Sequence, residues 1–354
     1  MLRSGSAALL AVSLLAASPA GGSGVPSPAE CATRFLADPE GSAECFSIAA
    51  REPGQRDEAV RRAEELLRRF PPDDPRNAWL NFDLGSLYWG EPERSAELFR
   101  AAARLLAERG DAVGAVRAES NLYSRLKLLD RTREAAAAVE RAVRVAEESG
   151  HPLAIARARI LEANRLSDRN EELPRAYRLL LQAEETLFPP GSSEGPYPMR
   201  KDCLFHLGNV ALDLGYLPKA RRHFERFVTI ASREKDGYGE AAALYGLLRT
   251  LREELALMPR PGGKEEALAL ARRVLAAARA AGHREAEGLS HAVLGLLTRG
   301  PEARSHFAGC LAAAGDLDDQ SYCRSAQARS LIAEDPEAAL RTVDQALALA
   351  RKAG

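Results

Sequence analysis

The chain is short of charge imbalance, of strand-forming runs and of catalytic signatures, and each absence removes a class of function. Its 49 Lys and Arg face 50 Asp and Glu, for a formal net charge of −1, and only 6% of residues are aromatic. The two signs are spread along the sequence, without the basic stripe and stacking aromatics of a nucleic-acid binder, so nucleic acid is not an expected partner. Basic pairs such as Arg61-Arg62, Arg68-Arg69 and Arg221-Arg222 read as solvated helix faces. No HExxH, P-loop, GxSxG or paired CxxC occurs. Without a mutually supporting acid, base and nucleophile, the expectation is a protein that is not an enzyme, with no catalytic residue, no metal site and no cofactor.

Two groupings come nearest to chemistry. His283, Glu287 and His291 sit four apart on one predicted helix, but a fourth ligand is missing and capping or surface roles account for them. Cys203 and His206 fall three apart, at repeat-packing positions, with no acid beside them to orient the imidazole. The RGD at Arg109 to Asp111 is read as a helix-end turn.

What is present begins with 46% hydrophobic residues in 354, enough for a large core or an extended array. Arg3, the short apolar stretch from Ala7 to Ala17, and the small residues Ser18 and Ala20 make up the three regions of a secretory signal peptide, expected over residues 1–20. An apolar stretch of eleven residues is too short to cross a bilayer, so no stable span is expected after cleavage. A Gly-, Ser- and Pro-rich flexible linker follows over 21–30. A periplasmic or secreted location is expected, where disulfides are permitted.

From residue 31 onward, apolar residues recur at three and four, alanine is abundant, and Pro and Gly fall between the helical stretches. One spacing then repeats. In "HLGNVALDLGYLPKARRHFERF", Leu207 and Gly208 are followed by Ala220 and then Phe224. Leu84, Gly85 and Tyr88 lead to Ser95, Phe99 and Ala102; Leu122, Tyr123 and Leu126 to Ala135, Val139 and Ala142; Leu294 and Gly295 to Ala303, Phe307 and Cys310. The last unit ends with Ala339, Val343 and Ala346. Gly110, Gly150, Gly282 and Gly315 close helix pairs and are expected to supply left-handed caps. A small residue on each first helix lets the second lie close, and the aromatic fills the gap toward the next pair.

This spacing resembles the tetratricopeptide repeat (TPR) superfamily, a helix-turn-helix unit of about 34 residues. The resemblance implies an all-α, right-handed αα superhelix over 31–354, a TPR solenoid of about seven units, each stable only when stacked. Pro- and Gly-rich segments at 188–199 and 257–265 are expected as loops. The TPR register implies a concave face of first helices that holds a protein or peptide. It places Trp79, Phe82, Asp83 and Ser86 on that face, then Arg117, Ser120, Asn121 and Ser124, then Phe205, His206 and Asn209. Paired lysines of the carboxylate-clamp kind are not evident.

Cys31 and Cys45 lie about equally far from a DPEG turn, and Cys310 and Cys323 from AGDLDD. Each pair is expected either as a disulfide across a helical hairpin or as two buried thiols. The final helix is apolar on more than one face, through Leu340, Val343, Leu347 and Leu349. It lacks the polar outer face of a solenoid cap, so the expectation is self-association through that helix, or a chain that continues past Gly354. The array and the "ECATRFLADPEGSAECF" opening are similar in style to the N-terminal TPR arrays of bacterial CHAT proteins, which precede a caspase-like protease domain. That resemblance implies an alternative role as the sensor or regulatory arm of an enzyme domain beyond residue 354. No residue here matches the protease's histidine and cysteine dyad.

Overall fold

The computed structural model describes residues 25–39, 42, 44–50, 52, 54–168, 172–191, 195–332 and 334–353. The expected signal peptide, 1–20, and the linker through 24 lie outside the described residues, as do Glu40 and Gly41 of the DPEG turn. Among the described residues every regular element is an α-helix, so the chain is an all-α helical repeat.

Three short helices lead: α1 (Pro28–Ala37), α2 (Cys45–Ala49) and α3 (Arg56–Leu67). Seven pairs follow. They are α4 (Asn77–Leu87) with α5 (Pro92–Glu108), α6 (Ala112–Leu128) with α7 (Thr132–Ser149), and α8 (Pro152–Asp168) with α9 (Leu173–Leu187). Next come α10 (Tyr197–Asp213) with α11 (Leu217–Arg233), and α12 (Gly237–Leu257) with α13 (Gly263–Ala281). The last are α14 (Arg284–Leu297) with α15 (Gly300–Ala313), and α16 (Leu317–Leu331) with α17 (Pro336–Ala353). The short turns between members make them antiparallel neighbours.

The contacts divide the chain into two compact units, residues 1–203 and 204–354, with the division inside α10. In unit 1, Phe35, Phe46, Leu66 and Leu84 pack around the first three helices, and Phe82, Phe99, Leu106 and Leu122 form the core of the pairs that follow. Helix α1 begins earlier than expected, inside the stretch read as linker. Ser27 and Glu30 cap it reciprocally and Pro28 occupies its first turn, which satisfies amide groups that a linker would leave to water. The "ECFSIAA" segment forms only the five-residue α2.

The small-residue and aromatic spacing has a direct cause. A Cβ on Gly85 would meet the Phe99 ring at 3.0 Å, and one on Gly295 would meet Phe307 at 2.7 Å. Ser95, the small residue of α5, donates its hydroxyl to the Gly85 carbonyl at 2.7 Å. In unit 2 the Phe224 ring lies between Gly208 of α10 and Gly246 of α12, with added Cβ atoms falling at 2.6 and 2.3 Å from it. One aromatic thus joins two successive pairs, and burial of its surface is lost if either glycine grows.

Of the four expected capping glycines, Gly110, Gly150 and Gly282 have φ of 78°, 64° and 68°. Gly315 does not adopt the left-handed conformation. Its N–H donates to Asp319 Oδ2 at 3.0 Å, and Asp316 caps α16 by accepting from the Asp319 N–H, so the turn is built by carboxylates. Asp130 and Lys235 hold left-handed conformations that carry no glycine, at φ 54° and 55°. We expect Lys235→Gly to raise stability by up to about 1 kcal/mol, because the Cβ clash of a left-handed residue exceeds the entropy cost of glycine. A urea midpoint that falls would refute it.

The loop expected over 257–265 contracts to 258–262, since α12 runs through Leu257 and α13 starts at Gly263. Arg260 pairs with Glu266 at 2.5 Å and lies 3.9 Å from Glu254, which draws the turn back onto its own helices. Val343 is 41% exposed, off the packing face assigned to it, whereas Ala339 and Ala346 are buried.

Cys31 is bonded to Cys45 and Cys310 to Cys323, each across a short hairpin, with Cα atoms 5.5 and 5.8 Å apart. Cys203 is a buried thiol that donates to the Leu180 carbonyl. Denatured without reductant, the protein is expected to take up alkylating agent at one of its five cysteines. Serine at Cys310 should then cost up to about 3 kcal/mol, the scale for closing a loop of this length. Five alkylated thiols in intact-mass measurement would exclude both bridges.

Candidate functional site

Helices α4, α6 and α8 of unit 1 are first helices of successive pairs, and their shared face holds a row of polar side chains that the apolar core does not use. The row starts at Trp79, a half-buried ring set edge-on to Phe82 at 5.3 Å. Trp79 also borders a shallow open pocket with Arg109, Gly110 and Asp111. Phe82 itself is wholly buried, against Phe99 at 5.4 Å, and the Arg117 guanidinium lies over its other side at 4.7 Å. It belongs to the core, because an aromatic at that turn of α4 points at α5.

Asp83 is 2% exposed, and its carboxylate is taken by the chain's own N-terminal segment. It accepts from the Phe46 N–H at 3.3 Å and from the Ser47 hydroxyl at 2.6 Å. Burial pushes its carboxyl up to about 7; the Ser47 hydrogen bond opposes the rise and the nearby Glu44 charge adds to it. On α6, the Arg117 guanidinium holds both oxygens of the Glu44 carboxylate through Nη1 and Nη2, the latter at 2.7 Å. Such a fork is a strong, directional pairing. Glu44 stands in the left-handed conformation, φ 65°, where the chain turns into α2.

On α8, one helix further, Arg157 lies in the electrostatic reach of Arg117, Asp202 and Glu44. Its Nε is excluded from solvent and has no hydrogen-bond acceptor. Burial, with the Arg117 charge next, lowers Arg157 to about 10. The same face therefore presents two cations, one satisfied by Glu44 and the other left with a buried donor unmet.

The remaining expected groove residues are placed differently. Ser86, Ser120 and Ser124 donate their hydroxyls to carbonyls four residues back on their own helices, at 3.0, 2.8 and 3.1 Å, and Asn121 is buried. Ser86, Asn121 and Ser124 are thus part of the helix packing, since short side chains near the next helix reach backbone before solvent. In unit 2, Phe205 packs on His206 at 5.4 Å and on Phe227 at 6.3 Å, and Asn209 accepts from Arg249 at 2.8 Å.

The sequence reading missed Arg125, Arg157 and Glu44. Arg125 is 2% exposed, lies 3.2 Å over the Trp89 ring and donates to its carbonyl, with burial lowering it to about 10. Its place on α6, eight residues after Arg117, was the available signal; nothing local to Glu44 marks a residue whose partner is 73 positions away. The histidines separate: His283 caps α14 and stacks on Tyr238 at 4.3 Å, while His291 faces His306, with their Nδ1 atoms 3.0 Å apart, and Glu287 pairs with Arg279. Among the described residues no three His, Cys, Asp or Glu side chains are grouped to hold a metal ion, and no helix is long and apolar enough to cross a membrane.

No family model matches the chain, and no curated protein matches its sequence. Among solved structures, the apo form of RapI is similar over 91% of this chain and 96% of its own, with a TM-score of 0.50 at 16% identity. A signal-transduction ATPase of the STAND class with a tetratricopeptide repeat sensor, from Pyrococcus horikoshii, is similar over 92% of this chain, with a TM-score of 0.52 at 14% identity. This chain spans 52% of that protein's length. At such identities the likeness is one of fold, and the fold is TPR-like.

Proposed function

We propose that the chain is an exported, non-catalytic scaffold that holds a protein or peptide partner on the face of its first helices. The observation that carries this is the polar row Trp79, Arg117 and Arg157 on successive first helices, set above a core that has no need of it. Stacked helical pairs present such a row at regular spacing, and an extended segment can follow it. Export is supported by the charged, apolar and small-residue regions of 1–20 and by two cysteine pairs placed for oxidation.

Panning a random peptide library against the full chain is the test. Enriched peptides whose capture drops on Trp79→Ala support the assignment, and a library that yields no enriched sequence refutes it. Cell fractionation with and without residues 1–20 tests export: an equal distribution would remove it. Leu340, Val343 and Leu347 are 67%, 41% and 48% exposed on α17, which supports pairing with a second copy through that helix. Sedimentation as a monomer at every concentration would end that part of the proposal.

A second role, as the sensor arm of a CHAT-type enzyme domain encoded beyond residue 354, is favoured by the likeness to a sensor module within a larger signalling protein. Reading the source gene past codon 354 decides it.

A further inference from the structure

Helices α13, α14 and α15 of unit 2 bring two imidazoles together in a polar cluster that the apolar core does not use. His291 of α14 and His306 of α15 face each other with their Nδ1 atoms 3.0 Å apart. Behind each ring stands a carboxylate from one turn earlier on the same helix. Glu287 Oε1 lies 4.0 Å from His291 Nε2, and Glu302 Oε1 lies 4.0 Å from His306 Nε2. A glycine on α15 makes room for the pair, since a Cβ on Gly309 would meet the His291 ring at 2.7 Å.

One cation completes the cluster. Arg279 of α13 holds Glu287 through Nε at 2.8 Å and reaches His291 Nε2 through Nη2 at 3.0 Å. A guanidinium only donates, so His291 Nε2 is the acceptor and that ring carries its proton on Nδ1. The proton is donated to His306 Nδ1, which leaves the proton of His306 on Nε2, on the side of Glu302. The two rings are thus joined by a single shared proton.

A metal ion is the other species that two facing imidazole nitrogens share. With metal–nitrogen bonds of about 2.0–2.1 Å, neighbouring ligand atoms stand about 2.9 Å apart at a right angle and about 3.3 Å apart at the tetrahedral angle. The observed 3.0 Å matches the right angle, the geometry of tetragonal copper(II), which also heads the affinity order of the divalent first-row metals. Carboxylates at the far nitrogens are the usual partners of metal-bound histidines, where they fix the tautomer and raise the basicity of the ring.

We propose that His291 and His306 form a copper(II) site through their Nδ1 atoms, backed by Glu287 and Glu302 and guarded by Arg279. On binding, the shared proton moves from His291 Nδ1 to its Nε2, where Glu287 accepts it, so the pair gains the ion and loses no proton. Arg279 withdraws from His291 in that step, because its N–H and the new Nε2–H oppose each other. The His306 side chain is 19% exposed and gives the ion its way in, with water filling the remaining positions. The bound ion ties α14 to α15 across their hairpin.

The test uses the full chain and copper(II) sulfate alone, in a buffer that does not bind copper, read by electron paramagnetic resonance and by competition with glycine. One equivalent should give a tetragonal signal coupled to two imidazole nitrogens, and His306→Gln should remove it. Arg279→Met keeps the stem of the side chain and removes its donors, and it should tighten copper(II) by about tenfold, the scale of one hydrogen bond from a charged group. Glu302→Ala should weaken it by about tenfold, as for the loss of a carboxylate behind a metal-bound histidine. The Arg279 and Glu302 side chains are each 57% exposed, so these two variants keep the fold even if His306→Gln does not. His151→Gln, at an exposed histidine of unit 1, should leave signal and affinity unchanged. A signal with one nitrogen, a two-nitrogen signal that survives His306→Gln as surface coordination only, or an Arg279→Met affinity no tighter than the parent's overturns the proposal.

Discussion

Phe224→Ala is expected to destabilise unit 2 by about 3–5 kcal/mol, the range for deleting a fully buried aromatic ring. The ring has no exposed surface and is flanked by glycines on both sides, so its loss opens a cavity between two helix pairs that neither α10 nor α12 can collapse to fill. The converse changes act on the same contact. Gly246→Ala would place a methyl 2.3 Å from the ring, and Gly208→Ala one at 2.6 Å, and each should cost about 1–3 kcal/mol by overpacking. Because all three touch one ring, their effects should not add. Phe224→Leu with Gly246→Ala should cost less than the sum of the single changes, since the smaller side chain vacates the space that the methyl takes. Urea denaturation of the parent, Phe224→Leu, Gly246→Ala and the double variant measures this, and strict additivity would show that Gly246 and Phe224 do not share a contact.

Acidification from pH 6.5 toward 4 is expected to remove several kcal/mol from unit 2. His223 and His283 are buried, and both are lowered to about 4, His283 by burial and His223 by burial first and then by the Arg226, Arg222 and Lys219 charges. In the unfolded chain both titrate near the ordinary histidine value of about 6.5. As pH falls below that value the unfolded state takes up protons first, so the stability is complete above about 6.5 and lost progressively down to about 4, by up to about 3 kcal/mol for each histidine. His291 and His306 are lowered as well, chiefly by burial, and carry the same sign. Asp213, Glu285 and Asp319 are raised by burial and oppose it, since they bind protons more readily when folded. Comparison of urea midpoints at pH 7 and pH 5 in the parent and in His223→Gln with His283→Gln separates the terms. An equal drop in both proteins would show that these two histidines do not carry the effect.

The helices themselves were legible because their signals are local. Periodicity of three and four and the glycines after α7 and α13 each act within one turn of the chain, whereas the Ser27–Glu30 cap of α1 went unread inside the stretch taken for linker. The need for small residues at Gly85 and Gly208 was legible for a related reason, since a helical hairpin brings residues at a repeating interval together. The register sent the aromatic toward the next pair, but Phe99 lies against Gly85, and Phe224 against Gly208 of its own pair as well as Gly246 of the next. Where a local substitute exists the sequence misleads: Asp316 and Asp319 replace the left-handed cap expected at Gly315, and Lys235 and Asp130 adopt left-handed conformations normally reserved for glycine.

The polar face was only half legible. Trp79 and Arg117 were assigned to it from the repeat register, but Phe82 turned inward and Asp83 is held by Phe46 and Ser47. Sequence alone determined that this chain is a stack of helical pairs, because helix period, caps and small-residue spacing are set by neighbours a few positions apart. Only the tertiary structure decided that Glu44 lies on Arg117 while Arg157 keeps an unmet donor, because an ion pair between residues 73 apart depends on how the first helices fold back onto the array, and no local pattern encodes that return.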